Sequence, residues 1–245
     1  MKKIRLDQLL VEKGMAESRE KAKRLILAGK VLVDGHNAPK PGYTLAPDHK
    51  VVLKEGERFV SRGGEKLEGA MQAFPISLEG KVCLDIGSST GGFTDCMLQH
   101  GAVKVYAVDV GKGQLHWNLR EDPRVVVMEG VNARYLTAED FPEQADFASI
   151  DTSFISLTNI LPAAKELLSP GGKIVSLIKP QFEAGKTEAD KGRGVIIDPA
   201  VHETVLSNIR EFGTKKLGLE WIGFVPSPIK GPKGNVEFLA YWNRP

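Results

Sequence analysis

From residue 80 onward, short apolar runs alternate with longer amphipathic ones, and this alternation restricts the fold more than any other feature. "KVCLDIG" (81–87) leads into a helical run through Phe93, Cys96 and Met97 that stops at Gly101. "KVYAVDVG", "RVVVMEG" and "FASIDTS" follow as a second, third and fourth strand. "LTNILPAAKELL" reads as a helix halted by "SPGG", and "KIVSLIKP" as a fifth strand. A helix over "DPAVHETVLSNIREFG" and two last strands, "EWIGFVPSPI" and "NVEFLAYW", close the chain. Such alternation predicts an α/β domain with a doubly wound, mostly parallel sheet. Ligands of these sheets bind beyond the carboxyl ends of the strands, where strand order reverses.

Composition excludes several classes. No run of 18 apolar residues exists, so no helix is expected to span a bilayer. The start, "MKKIRLDQLLVEKG", lacks the apolar stretch of a signal peptide. Two cysteines, Cys83 and Cys96, build neither a disulfide framework nor a metal site, which points to a reducing, cytoplasmic setting. The net charge of +2 conceals an asymmetry: residues 1–66 hold 15 Lys/Arg against 9 Asp/Glu, and the rest hold 18 against 22. A basic end on an acidic body suits a polyanionic partner.

Within the basic end, Leu6, Leu9 and Leu10 recur at helical spacing before Gly14. Ser18 can cap a second helix that buries Ala22, Leu25 and Ile26 and turns Lys21, Lys23 and Arg24 outward. "KVLVDG" and "HKVVLKEG" are short strands with Asp34-Gly35 and Glu55-Gly56 turns. The order "RLDQLLVEKGMAESREKAKRLILAGKVLVDG" resembles the small RNA-binding domain first known from ribosomal protein S-four. That resemblance implies an RNA-binding domain over 1–56, with Arg5, Arg19, Lys23, Arg24 and Lys30 as phosphate contacts. A linker is expected over 57–64 with a Gly63-Gly64 hinge, and a second domain over 65–245 that opens with a helix near Glu65.

The first strand of the larger domain ends in "LDIGSSTGGF" (84–93). Its glycines fall at 87, 91 and 92, a poor match to the G-x-G-x-x-G of dinucleotide-binding folds. The loop resembles that of the S-adenosylmethionine-dependent methyltransferases instead, which implies a seven-stranded Rossmann-like sheet and that cofactor. The implied cofactor-binding residues are Asp85, facing the ammonium group directly or through water, and the loop of Gly87, Ser88, Ser89, Gly91, Gly92 and Phe93. Asp109 would meet the ribose, and Val131 and Asn132 would flank the adenine.

The acceptor is narrowed by what is missing. "IDTSF" lacks the proline pair of base N-methylation, and neither cysteine lies at the fourth or fifth strand end, where base C5-methylation needs a nucleophile. The polar residues at strand ends are Asp151, Lys179 and Glu237, with Lys66 after the paired glycines. This set resembles the K-D-K-E tetrad of the FtsJ-type ribose 2′-O-methyltransferases. With "SRGGEKL", "DIGSSTGGFTDCML", "IKPQFE" and "KGNVEF" in place, the whole chain resembles the TlyA, or hemolysin A, family of rRNA methyltransferases. It departs from actinobacterial members at Arg58-Phe59-Val60-Ser61, where they carry R-x-W-V.

The resemblance implies transfer of a methyl group to a ribose 2′-hydroxyl of ribosomal RNA, as RNA or within subunits, with cytidine the expected nucleotide. In that reading Lys179 activates the hydroxyl, Asp151 and Glu237 hold the lysines, and Lys66 positions the ribose. A polar loop, "EAGKTEADKGRGV" (183–195), offers Lys186, Lys191 and Arg193 to RNA, and Arg62 adds a cation beside the glycine pair. Two other functions compete. A membrane-active hemolysin would need an amphipathic or spanning segment that the chain lacks. A non-catalytic RNA-binding assembly factor would not need the lysine pair.

Overall fold

The computed structural model describes residues 3–54, 58–185, 188 and 191–245. The chain divides into two compact units, Met1–Arg58 and Phe59–Pro245.

The first unit runs β1 (Ile4–Arg5), α1 (Leu6–Glu12), α2 (Arg19–Leu27), β2 (Val31–Val33), β3 (His36–Asn37), β4 (Thr44–Leu45) and β5 (Val51–Leu53). The two helices bury Leu6, Leu9, Leu10, Ala22 and Ile26 together with Val31 from β2. Ser18 caps α2 by accepting from the Lys21 N–H at 3.2 Å. Asp34 and Gly35 both adopt positive φ, 49° and 84°. That pair forms the two-residue turn joining β2 to β3, where Val33 faces His36. Asp7 is wholly buried. Its carboxylate accepts from Arg5 Nε at 3.0 Å, Arg5 Nη2 at 2.9 Å and Arg19 Nη2 at 3.2 Å. The R-L-D opening is therefore an ion-paired clasp between β1, α1 and α2.

The second unit contains α3 (Gly63–Ala73), β6 (Val82–Ile86), α4 (Gly92–Gln99), β7 (Lys104–Asp109), α5 (Trp117–Arg120) and β8 (Val125–Glu129). It continues with β9 (Ala145–Ile150), α6 (Leu161–Leu167), β10 (Leu168–Ile178), α7 (Pro180–Glu183), α8 (Pro199–Glu211), β11 (Glu220–Pro226) and β12 (Phe238–Asn243). Seven strands form one sheet in the order β11-β12-β10-β9-β6-β7-β8. The pairs from β10 to β8 are parallel, and β12 is antiparallel to both its neighbours. The chain starts mid-sheet at β6, moves outward through β7 and β8, and returns to β9 on the other side. The switch point therefore lies between β6 and β9, as an open doubly wound sheet requires. Apolar layers cover both faces. One holds Leu84, Ile86, Ile150, Ile174 and Trp242; the other holds Leu67, Phe93, Met97, Phe147 and Tyr241.

Two expectations need correction. Of the expected linker, 57–64, Glu57 lies outside the described residues, and from Phe59 on the stretch belongs to the second unit: Phe59 is buried in its core, and Gly63 and Gly64 form the first turn of α3. A Cβ at Gly64 would lie 2.2 Å from Phe59 Cγ, so the glycine is required by close packing rather than by flexibility. Asp95 Oδ2 also accepts from the Val60 N–H at 2.8 Å, tying this segment to α4. The fifth strand, expected from Lys173, begins at Leu168; the pairing with β9 breaks register between Leu168 and Lys173, so "SPGG" is an irregularity within the strand.

Candidate active site

The end of β6 shapes the site. Gly87 turns the chain at φ +86°, and Gly91, at φ +94°, precedes α4. A Cβ at Gly87 would lie 2.5 Å from the carbonyl oxygen of Asp151, so the ends of β6 and β9 approach too closely for a side chain. A Cβ at Gly91 would strike Leu119 Cδ1 at 2.2 Å. Between these glycines, Ser88, Ser89 and Thr90 arch over the carboxyl edge of the sheet. Asp109, at the end of β7, holds the arch: its oxygens accept from the Ser89 N–H at 2.8 Å and the Gly111 N–H at 2.7 Å. At the end of β8, Glu129 holds the loop after β7, accepting from the N–H groups of Gly113, Gln114 and Leu115 and from Arg120. Those donors pull its carboxyl down to about 2.

Under the arch lies a cavity of about 330 Å³. Gly87, Ser88, Ser89, Gly92 and Phe93 line one side; Arg62, Lys66, Asp151, Lys179 and Glu237 are among the residues lining the rest. Gly91 is not among the lining residues and packs against Leu115 and Leu119. Asp109, Val131 and Asn132 stand outside the cavity wall: the Val131 N–H donates to the Asp109 carbonyl at 3.0 Å, and Asn132 accepts from the Arg134 N–H at 3.1 Å.

Asp85 is not at the cavity. It is fully buried, and its oxygens accept from Thr94 Oγ1 at 2.6 Å and Ser149 Oγ at 2.9 Å. Strand alternation turns it into the layer between β6, β9 and α4, so of the two expected modes, direct contact with an ammonium group in the cavity is not open to it. Burial pushes its carboxyl up to about 6, with the Asp151 charge adding to the shift and the two hydroxyls opposing it.

Lys66, in the first turns of α3, meets Asp151, Lys179 and Glu237, which flank β9, β10 and β12. Lys66 Nζ lies 2.8 Å from Glu237 Oε2 and 3.8 Å from Asp151 Oδ2. Lys179 Nζ lies 2.5 Å from Asp151 Oδ1 and donates to Ser153 Oγ at 3.0 Å. Lys179 is 8% exposed and Glu237 1%. Glu237 immediately precedes β12, an interior strand, and the turn before that strand wraps it; a Cβ at Gly231 would lie 2.6 Å from Glu237 Oε1.

The segment after β10 ties this group to its surroundings. Pro180 stops the strand and starts α7, a single turn. Gln181 Nε2 donates to Glu237 Oε1 at 3.2 Å. The Phe182 ring packs on Phe154 with centroids 5.0 Å apart. Glu183 accepts from Ser156 Oγ at 2.6 Å and the Leu157 N–H at 2.8 Å, and burial raises its carboxyl above the ordinary range. Phe154 itself is 91% exposed and sits at φ +63°, a strained value for an aromatic residue. It lines a second cavity of about 360 Å³ with Phe182, Gln181 and Asn235. Ser153, Lys179, Pro232 and Glu237 line both cavities, and so form their common wall.

Sequence reading missed Ser153, Phe154, Gln181 and Glu129. An aromatic residue four places beyond the fourth strand and the full run "KPQFE" were the available signals. Among the expected RNA contacts, Arg5 and Arg19 lean on Asp7 while remaining about half exposed. Arg24, Lys30, Arg62 and Arg193 are exposed and Lys23 is partly so. Lys186 lies outside the described residues. No described helix is long and apolar enough to cross a membrane.

Comparison with known proteins agrees with this architecture. The model of the FtsJ-like methyltransferases matches residues 59–244, and that of the S4 domain matches residues 4–51. The chain is 51% identical to the Bacillus subtilis protein named "Putative rRNA methyltransferase YqxC", over 100% of this chain and 87% of that one. It is 46% identical to the "16S/23S rRNA (cytidine-2'-O)-methyltransferase TlyA" of Mycobacterium tuberculosis, over 98% of this chain and 90% of the relative. A solved structure, "Putative hemolysin from Streptococcus thermophilus", superposes with a TM-score of 0.76 at 47% identity, covering 100% of this chain and 89% of the other. With a tetrad of lysines and carboxylates at the switch point of its sheet and an S4 domain at its amino end, this chain belongs to the FtsJ-like methyltransferase family.

Proposed function

We propose that the protein is an S-adenosylmethionine-dependent rRNA methyltransferase that modifies a ribose 2′-hydroxyl, with cytidine the expected nucleotide. One observation carries the reading: Lys179 stands in the wall between two cavities, one polar and glycine-walled, the other aromatic. A two-substrate transfer needs such a partition, with the reacting atoms meeting at the shared wall. The names of the relatives point to the same chemistry.

The polar cavity fits the cofactor. The Gly87–Phe93 arch is held open by Asp109 and brings backbone close to the cavity. Gly87, Ser88, Ser89, Gly92 and Phe93 would hold the amino-acid end. Asp109, Val131 and Asn132, next along the carboxyl edge, are the candidates for the nucleoside end. When bound, S-adenosylmethionine supplies an electrophilic methyl group on a sulfonium.

The protein's own groups handle the acceptor. An ammonium has three N–H donors, and Asp151 and Ser153 occupy two of those on Lys179. The third is available to the ribose oxygen. That oxygen would gain the O–CH₃ bond as the methyl–sulfur bond breaks to leave a neutral thioether, and would give up its proton, while Lys179 stabilises the developing negative charge. Asp151, about one-fifth exposed, offers the proton a route to water. Lys66, clamped by Glu237, adds a second positive charge beside the reacting oxygen. The basic S4 domain would contribute sequence-independent grip on rRNA, consistent with a cytoplasmic protein.

The test is transfer of labelled methyl from S-adenosylmethionine to ribosomal subunits, followed by nucleoside analysis. A 2′-O-methylated nucleoside with the parent protein and none with Lys179→Ala is expected. Label on a base, or equal transfer by both proteins, would overturn the assignment.

A further inference from the structure

The side-chain amide oxygen of Gln181, Oε1, is buried and has no hydrogen-bond partner among the described residues. Buried polar groups in folded proteins are almost always satisfied, so an orphan beside a cavity calls for an explanation. The other end of the same amide is occupied: Nε2 donates to Glu237 Oε1 at 3.2 Å, while Glu237 Oε2 holds Lys66 at 2.8 Å. A carboxylate can only accept, so the amide nitrogen must face Glu237. Reversing the amide would set two acceptors against each other. The tetrad thus fixes which way round Gln181 stands, and the free end is an acceptor.

Gln181 also lines the aromatic cavity, whose walls include Phe154 and Phe182 and whose floor reaches Lys179 and Glu237. A planar ring entering there has an aromatic face to stack on. Its edge then meets a side chain whose unused group is an acceptor. We propose that Gln181 is a specificity-determining residue that reads an exocyclic amine on the base of the methyl-accepting nucleotide. This rests on the reading of the protein as an RNA ribose methyltransferase and adds how that site chooses its base. Cytosine and adenine carry an amine where uracil carries a carbonyl oxygen. Uracil would set oxygen against oxygen and leave the amide unsatisfied. A site built to hydrogen-bond a substrate group rejects an analogue lacking that group strongly, because its own buried atom stays unpaired.

One device then does two jobs. The Nε2 end braces the Glu237–Lys66 pair, and the Oε1 end samples the base. A base lacking the amine leaves Gln181 poorly anchored, which weakens the brace on Glu237 as well.

The experiment uses the full-length protein and ribosomal subunits in two forms. One form carries the mapped target nucleotide, and the other carries uridine at that position. The parent protein is expected to methylate an amine-bearing target and to favour it over uridine by at least about tenfold in kcat/KM. Gln181→Met removes both hydrogen-bonding ends at similar volume. It is expected to slow transfer to both RNAs and to bring the ratio within about threefold of one. Equal slowing with the ratio preserved would reduce Gln181 to a brace for Glu237 and overturn the base-reading role. A mapped target that is uridine, or no preference in the parent protein, would overturn it too. If the parent protein forms no 2′-O-methyl nucleoside on either RNA, the enzymatic reading itself fails, which is a separate result.

Discussion

Lys179 Nζ lies 2.5 Å from Asp151 Oδ1 and 3.0 Å from Ser153 Oγ, so a nearly buried cation is held by two residues of the β9 end from a turn after β10. Positioning of this kind supplies much of the rate of an in-line transfer. Lys179→Ala is expected to lower kcat by at least about 100-fold with little change in the KM for S-adenosylmethionine. Ser153→Ala keeps the ammonium and its ion pair, and is expected to cost less, about 3- to 30-fold in kcat. Single-turnover methyl transfer measures both. A Ser153→Ala loss as large as that of Lys179→Ala would mean that Ser153 acts directly.

Lys66 and Glu237 form a partly buried ion pair at 2.8 Å, with Glu237 almost wholly enclosed. Removing Glu237 leaves the partly buried Lys66 with only the more distant Asp151, at 3.8 Å, as a counter-ion. Glu237→Ala is expected to destabilise the second unit by about 3 kcal/mol, whereas Lys66→Met combined with Glu237→Leu recovers most of that loss. The double variant is still expected to transfer no methyl. Urea unfolding alongside activity separates the two roles; activity in the double variant would show that the pair is structural only.

Asp85 titrates in a buried setting that raises its carboxyl to about 6. Between about pH 4 and 6 the folded protein therefore holds a proton that the unfolded chain, with a carboxyl near 3.9, has released. Stability falls as pH rises through that window and levels off above it. Asp85→Asn keeps partners for Thr94 and Ser149 and is expected to remove this slope. At pH 8 it gains up to roughly 3 kcal/mol over the parent. Affinity for S-adenosylmethionine is expected to stay within about threefold, since Asp85 lies off the cavity; a tenfold loss in calorimetry would return it to the cofactor site.

Asp7 is an acid that Arg5 and Arg19 share, and the pair holds its carboxyl down at about 2, Arg5 contributing most. That stabilisation is present above the ordinary carboxyl range and is lost as pH falls through about 4 to 2. Asp7→Asn makes the protein more positive, so charge alone would predict tighter RNA binding. The opposite is expected, about a 5- to 20-fold weaker affinity, because both arginines lose their anchor. Filter binding to rRNA across a salt series decides; tighter binding would show that the clasp does not position the arginines.

Phe154 is exposed and strained, so removing it should not harm the fold. Phe154→Gly relieves the positive φ and is expected to leave Tm unchanged or slightly higher. It also removes a stacking face worth about 1–3 kcal/mol to a base. The KM for RNA is therefore expected to rise at least about fivefold while cofactor affinity is unchanged. An unaltered KM would mean that no base stacks there.

Much of the protein was already decided by its sequence. Period and punctuation specify the strands, the α2 cap at Ser18 and the Asp34-Gly35 turn, because these depend on neighbours a few residues away. The loop after β6 and the residue types of Lys66, Asp151, Lys179 and Glu237 were equally legible. What the linear order could not supply was company. Lys66 and Glu237 are 171 residues apart in sequence and 2.8 Å apart in space. The same holds for Gly64, which reads as a hinge until Phe59 packs on it, and for Asp85, which reads as a ligand until Thr94 and Ser149 enclose it. Burial and side-chain pairing are properties of the packed sheet, and they alone decided which carboxylates face the cavity and which stay in the core.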